Sequence, residues 1–359
     1  MTELPQEIDV LVVGAGPAGC ACARALAQAG REVLLIDQVT TGEKLAQHLS
    51  ATALSHLQNS SLLPWLERSA PETANTHYMA WGSSVENQDR ALSNGWNLDR
   101  RRFDTCLRAA AIEAGVKFVP ARLQQMMRIG QVWHCLLHVG NGKGKPENLR
   151  ARWLVDASGR RAICTQRIGI RRIYEEPLMA LYASGPSPFE ARSIVEAVPF
   201  GWWHSTVLPG ERRFAALYVE SSEATHILQQ PQLWREKLLA TQHIAQLCQV
   251  DGSWSAPHAT EAGSSRLEVA CGKGWIAAGD AALSFDPLLT QGICTALQTG
   301  SRAAQALLDY SSQQENSWQD YAQYLQTLYQ QQRQDLLQLY RAEQRWSEQA
   351  FWKRRHQAA

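Results

Sequence analysis

The chain opens with an apolar run, Ile8 to Val13, that turns through Gly14-x-Gly16-x-x-Gly19 into an alanine-rich segment, Ala18 to Ala29. A buried parallel strand turning tightly into a helix is the context in which this spacing holds a dinucleotide. Gly14 permits the turn, Gly16 lets the backbone approach a pyrophosphate, and Gly19 allows close helix packing. Ala15, Pro17 and Ala18 complete the loop, and the helix N-terminus favours negative charge there. A second apolar run, Glu32 to Ile36, ends on Asp37 and Gln38. Asp37 is placed to accept hydrogen bonds from the two hydroxyls of an adenosine ribose. The glycine string alone is weak evidence. Strand, helix, second strand and terminal acid in register point to a dinucleotide site, and a glycine turn that binds nothing explains none of the rest.

With 359 residues the chain has room for two lobes. A formal charge of +1 gives no global field to steer it to nucleic acid or an anionic membrane. No apolar stretch approaches the roughly 20 residues that cross a bilayer. Met1 to Asp9 carries acids rather than a leader pattern. The eight cysteines sit mostly in apolar, regular segments without a Cys-x-x-Cys pair. We read them as reduced thiols of a cytoplasmic protein, with neither zinc nor a redox dithiol.

The expected fold is α/β with an α+β insertion. A Rossmann-like nucleotide-binding domain occupies residues 1–170, with a loop-rich stretch at about 60–97. Within it we expect short helices at Ala51–Gln58 and Leu62–Ser69 and a helix from Asp99 or Arg100 to Ala114, closed by Gly115. Strands at 116–119, 123–129, 131–139 and 149–155 follow, the last two joined by a solvated turn, Gly140–Pro146. Residues 171–263 read as an antiparallel substrate domain, with strands at Leu178–Tyr182, Ser193–Pro199, Trp202–Leu208 and Arg213–Val219. Turns are expected at Gly185-Pro186 and Pro209-Gly210, and a helix at Gln232–Leu247. The nucleotide-binding domain resumes over 264–310 through a strand at Gly274–Ala278 and a helix at Gln291–Leu308. A glutamine-rich helical segment, 311–359, ends the chain. Its apolar spacing, Tyr321, Leu325, Leu328, Leu336, Leu339, Tyr340, indicates a packed helix rather than disorder.

The return segment narrows the ligand. Trp275 to Ala278 is a short strand ending on Gly279-Asp280, and an acid there can accept a hydrogen bond from a ribityl hydroxyl. Phe285-Asp286-Pro287-Leu288-Leu289-Thr290-Gln291-Gly292-Ile293 then leads into a helix. The N-terminus of that helix, with Pro287, Gln291, Gly292 and Ile293, can meet the N1–C2=O2 edge of a flavin, where charge collects on reduction. FAD is the cofactor these elements call for.

Together these segments resemble the flavoprotein monooxygenase superfamily of aromatic hydroxylases, geranylgeranyl reductases and flavin-dependent halogenases. Val155-Asp156-Ala157-Ser158-Gly159-Arg160 resembles its middle motif, and Leu98-Asp99-Arg100 with Phe103-Asp104 its arginine motif. The resemblance implies a p-hydroxybenzoate hydroxylase-like arrangement in which Arg100, Asp156 and Ala157 belong to the FAD site. Gly42-Glu43-x-Leu45, Gly201-Trp202-Trp203, Phe285-Asp286-Pro287-Leu288 and Tyr340-Arg341-Ala342-Glu343-x-Arg345-Trp346 are similar to a narrower group. It includes the LodB- and GoxB-like flavoproteins required for making cysteine tryptophylquinone in partner amino-acid oxidases.

That likeness implies monooxygenation, with reduced FAD and O2 delivering oxygen to an electron-rich ring such as the indole of a precursor's tryptophan. The partner implied is the precursor of a tryptophylquinone-containing amino-acid oxidase. Trp203 and His204 are candidate pocket residues of the aromatic sheet, and adjacent Trp202 and Trp203 must face opposite ways. His204 is a candidate acid/base, with a structural or surface histidine as the favoured alternative. Glu43 and Lys44 are candidates beside the flavin, with helix-entry scaffolding and a solvent-facing lysine as alternatives. Halogenation is disfavoured because no lysine occurs between Lys44 and Lys117. No second nicotinamide fingerprint is present, so NAD(P)H docking transiently and a separate reductase both remain open as electron source. A hydroxylase or reductase acting on a small aromatic metabolite, and a maturation partner that mainly binds an oxidase, are the competing classes.

Overall fold

The computed structural model describes residues 4–38, 47–49, 51–59, 61–69, 72–74, 76–82, 95–140, 145–187, 192–208, 211–248, 253–312, 314 and 316–357. Five strands form its parallel sheet, in the spatial order Lys117–Ile129, Val33–Asp37, Glu7–Val13, Glu147–Asp156, Trp275–Ala277. The two neighbouring strands Glu7–Val13 and Val33–Asp37 carry the apolar runs 10–13 and 33–36, as strands covered on both faces do. Val10, Leu11, Val12, Leu34, Leu35 and Ile36 are all buried. Chain order reverses at Glu7–Val13, which pairs with Val33–Asp37 on one side and Glu147–Asp156 on the other. In such sheets the crevice beyond the strand ends at the reversal is where ligands bind.

Residues 117–129 form one continuous strand rather than two. Its first part pairs in parallel with Val33–Asp37 and its second part antiparallel with Val132–Val139, across a register shift between Leu123 and Gln125. The bulge lets one strand serve both ladders. Val132–Val139 then pairs with Glu147–Asp156, as the expected hairpin requires, although 141–144 lie outside the described residues.

The second layer is a six-stranded sheet in the order His258–Glu261, Leu178–Pro186, Arg212–Glu220, Gly201–Leu208, Arg192–Val198, Thr76–Ala80. It is antiparallel except for the last pair. Gly185 and Pro186, expected to turn, continue the strand opposite Arg213 and Arg212. Proline is tolerated there because it ends the strand. Both faces of the sheet are buried. One carries Tyr182, Trp202, Phe214 and Tyr218. The other carries Leu181, Trp203, Leu217 and Val219 under the helices Ser221–Gln229 and Gln232–Leu239. The single helix expected over 232–247 is therefore shorter, ending at Leu239, and Ser221–Gln229 is an additional one.

Three further strands, Gln47–Leu49, Glu72–Ala74 and Gly95–Leu98, make a small sheet in the stretch read as irregular. The helix Arg100–Glu113 begins where expected because Asp99 caps it, accepting from the N–H groups of Arg101 (2.9 Å) and Arg102 (3.2 Å).

The C-terminal segment is packed, and it spans both layers. The helix Ser317–Ala342 buries Tyr321, Leu325 and Tyr329 against the parallel-sheet core and Leu336 and Tyr340 against the aromatic sheet. A second helix, Ala350–Gln357, sets Phe351 and Trp352 into the latter. The Trp352 indole N–H donates to the Val198 carbonyl at 2.9 Å. All eight cysteines are free, and burial pushes the Cys22 and Cys135 thiols up to about 12, which keeps them protonated. Among the described residues no helix is long and apolar enough to cross a membrane.

Candidate active site

At the reversal point three backbone hydrogen bonds tie four strand ends together. Gly14 N–H donates to the Ile36 carbonyl (2.8 Å), Ala157 N–H to Val13 (2.9 Å), and Ala278 N–H to Asp156 (2.9 Å). The fingerprint glycines then separate by cause. Gly14 has φ +108°, and a side chain there would drive into the Ala157 carbonyl oxygen at 2.2 Å. A side chain at Gly19 would meet the Gly14 carbonyl oxygen at 1.8 Å. Both are demanded by the protein's own packing. Gly16 is not: its backbone is extended, at φ −78° and ψ −175°, and an added Cβ meets no protein atom within 4 Å. Glycine at 16 makes sense for a ligand pressed against the backbone.

That open space belongs to a cleft of about 310 Å³ lined by Gly14, Gly16, Pro17, Ala18, Asp37, Gln38, Arg100, Ala157, Asp280, Gly292 and Ile293, among others. Two helices begin at its wall, Pro17–Gln28 and Gly292–Ser311, and neither has a side-chain cap. Their first-turn N–H groups therefore lack the partner that Asp99 supplies elsewhere, which suits an anionic ligand. The two helices reach one cleft because they cross on small residues. An added Cβ at Gly300 would meet the Ala18 carbonyl oxygen at 2.3 Å, and one at Gly279 the Ala18 methyl at 2.6 Å. The groups present fit FAD: an uncapped helix end for the pyrophosphate, acids at both ends for hydroxyls, and a second helix end for the ring.

Asp37 accepts from the backbone N–H groups of Ala15 (3.0 Å) and Gln38 (2.7 Å), which orient its carboxylate at the cleft edge. Arg100 pairs with Asp104 at 3.2 Å, and both line the cleft. Asp280 is 43% exposed and lies 3.9 Å from Arg160. Ala15, Gly19, Gly279 and Gln291 do not line the cleft, Gln291 being the residue that precedes the return helix, and Pro287 lines the neighbouring chamber instead.

Asp156 departs from expectation. Its carboxylate is buried and accepts from Ser158 N–H and hydroxyl, from the N–H groups of Cys164 and Thr165, and from the Thr165 hydroxyl. A carboxylate so fully engaged holds the loop that presents Ala157, Ser158 and Gly159 to the cleft. It does not line the cleft itself.

Beside the start of Gly292–Ser311 lies a second chamber of about 130 Å³, sharing Asp280, Gly292 and Ile293 with the first. Val195, Trp202, His204 and Tyr218 form its sheet wall, and Phe285, Asp286, Pro287 and Thr290 the opposite one. Trp202 stacks on Tyr218 with ring centroids 3.8 Å apart and planes 11° apart. Trp203 is corrected by this geometry. Strand alternation sends it to the far face, where it packs edge-on to Trp234 at 5.3 Å. His204, in phase with Trp202, does face the chamber. Glu43 and Lys44 lie outside the described residues.

Several residues that hold the site were given no role by the sequence. Arg160 donates to the carbonyls of Gly263, Ala262 and Phe285, joining the middle motif to the return segment. Arg172, buried, donates to the carbonyls of Asp280 (2.8 Å) and Ala281 (2.7 Å) and fixes the Gly-Asp corner. Arg122 and Arg161 add positive charge to the cleft rim. The carbonyls that Arg160 and Arg172 bind are distant in sequence, and no local pattern announces them.

Comparison with known proteins agrees with this geometry. The family model described as "FAD binding domain" matches residues 7–323. LodB of Marinomonas mediterranea, which carries the name of an FAD-dependent oxidoreductase, is 29% identical over 374 aligned positions covering 98% of this chain and 97% of LodB. The fold is that of QhpG, a peptidyl tryptophan dihydroxylase essential for tryptophylquinone cofactor biogenesis. The TM-score is 0.82 at 24% identity, over 97% of this chain and 78% of QhpG. The myxobacterial chondrochloren halogenase CndH shares the fold as well, with a TM-score of 0.84 at 21% identity over 98% of this chain and 86% of CndH. The chain belongs to the FAD-binding family of flavin-dependent oxidoreductases, and its cofactor is FAD.

Proposed function

We propose that this protein is an FAD-dependent monooxygenase that hydroxylates a tryptophan side chain of a precursor protein during cysteine tryptophylquinone biogenesis. The observation that carries the reading is the aromatic chamber that adjoins the FAD cleft at Asp280, Gly292 and Ile293. The full-length similarity to LodB and the fold shared with QhpG support it.

When bound, reduced FAD supplies two electrons and, with O2, an electrophilic oxygen for an aromatic ring. The chain's own groups do the rest. The uncapped start of Pro17–Gln28 and the open face of Gly16 hold the pyrophosphate. Asp37, with Gln38 beside it, holds the adenosine ribose, Asp280 takes the ribityl chain, and Arg100 pairs at the cleft rim. The start of Gly292–Ser311 would hold the ring end of the cofactor, where its N–H groups would stabilise negative charge. Trp202 and Tyr218 give the substrate ring an apolar stacking wall and exclude water, and His204 offers a polar atom beside them.

Co-expression with an unprocessed amino-acid oxidase precursor tests this, with the precursor's tryptophans mapped by mass spectrometry. Oxygen added at tryptophan only when this chain is intact supports the reading, and an unchanged precursor opposes it. The small volume of the chamber, about 130 Å³, favours one alternative, a free aromatic metabolite as substrate. Turnover of such a compound without any mass gain on precursors would select it.

A further inference from the structure

Asp286 sits in the chamber wall on the turn leading from the Gly279-Asp280 corner to the return helix, and it is 1% exposed. Its Oδ1 accepts the Leu288 N–H at 2.9 Å and its Oδ2 accepts the Tyr340 hydroxyl at 2.5 Å. The Tyr340 oxygen in turn accepts the Trp202 indole N–H at 3.2 Å. One hydrogen-bonded chain therefore links the stacking wall of the chamber to this carboxyl. A carboxylate offers about four acceptor positions, so two protein donors leave room for a third partner on the chamber side.

The electrostatic setting suits proton exchange. Burial, aided by the charge of Glu176, pushes the Asp286 carboxyl up to about 7, while Tyr340, the Leu288 N–H and Arg355 pull it down. Burial, then the Asp286 charge, raises the phenol of Tyr218 on the facing strand. His204, Glu261, Arg160 and Asp280 are the other charged or titratable groups at the chamber. A group that titrates near the working pH is matched to general base catalysis.

We propose that Asp286 is the proton acceptor of the substrate chamber, taking the proton that an aromatic ring carbon loses when C–H becomes C–OH. This rests on the monooxygenase reading above. One atom of O2 enters the ring and the other leaves as water, with two electrons from reduced FAD. The displaced ring proton passes to the Asp286 carboxylate and from there into that water. Tyr340 is a positioning residue: its hydroxyl aims the carboxylate and anchors Trp202.

The test uses holoenzyme reduced without air and then mixed with oxygenated buffer and the unprocessed oxidase precursor. Hydroxylated product is measured against pH for wild type, Asp286→Asn and Tyr340→Phe. Wild type should show product formation rising with pH through a limb near neutrality. Asp286→Asn should keep FAD and consume O2 as peroxide, yet lose about a hundredfold in product rate together with the limb. Tyr340→Phe removes a donor that favours the ionised carboxyl, so the limb should move about one pH unit higher. An Asp286→Asn enzyme with unchanged rate and limb overturns the proposal and leaves the monooxygenase reading standing. A wild type that never hydroxylates the precursor removes both. Should Asp286→Asn not fold, an unmoved limb in Tyr340→Phe overturns the assignment.

Discussion

The FAD cleft and the aromatic chamber meet at Asp280, Gly292 and Ile293, yet they are built on different principles. The cleft is made largely of backbone, with strand ends, two helix starts and glycines at fixed spacing. The chamber is made of side chains on a sheet buried on both faces, where the neighbouring positions Trp202 and Trp203 are both almost fully buried, at 1% and 0% exposure. Backbone geometry of the first kind leaves a rigid signature in residue type. Side-chain walls of the second kind leave only alternation, which says that two neighbours part ways without saying which one faces the ligand.

Paired substitutions sharpen this contrast. Gly14→Val should be the most damaging, because the left-handed backbone and the Ala157 carbonyl both refuse a side chain. Loss of soluble folded protein, read by circular dichroism, is the expected outcome. Trp203→Ala and Trp202→Ala should each cost about 3–5 kcal/mol of stability as cavity-forming changes. Only Trp202→Ala should also disturb the chamber, lowering product formation per FAD oxidised in the surviving folded fraction. Equal coupling in the two variants would break the assignment of faces. Asp280→Asn should weaken FAD by about tenfold through loss of a charge-assisted hydrogen bond, measured by fluorescence titration of apoprotein.

The smallest effect concerns pH. Asp286 holds its proton in the folded chain up to about 7, whereas its ordinary value is 3.8. The folded state thus binds more protons across that interval, and this group's contribution to stability declines as pH rises through it. Asp286→Asn should flatten the fall in Tm between about pH 4 and pH 7 relative to wild type, the window those two values define.

Much of the cleft was legible in sequence for the reason that separates the two regions. Gly14, Gly16 and Gly19, the terminal acid Asp37, and the Gly279-Asp280 corner each follow from a local geometric need. The helix from Arg100 announced its own cap in Asp99. What was not legible depends on distant partners. Asp156 looks like a ligand-facing acid until its five donors from 158–165 turn it inward. The single strand 117–129 follows from two ladders that neither half reveals alone. Arg160 and Arg172 bind backbone carbonyls roughly a hundred residues away. Trp203 was the wrong choice of two neighbours because the helices over residues 221–239 decide which face is core.

The contrast between Gly16 and its two companions bears most directly on the cofactor site. Gly16→Val changes a position whose added side chain meets no protein atom, so the fold should survive while the pyrophosphate is shut out. Flavin stoichiometry of the purified variant is the measurement, taken beside its far-ultraviolet circular dichroism. A folded, colourless protein is the predicted result. A folded Gly16→Val protein that retains wild-type FAD content would contradict the placement of the cofactor.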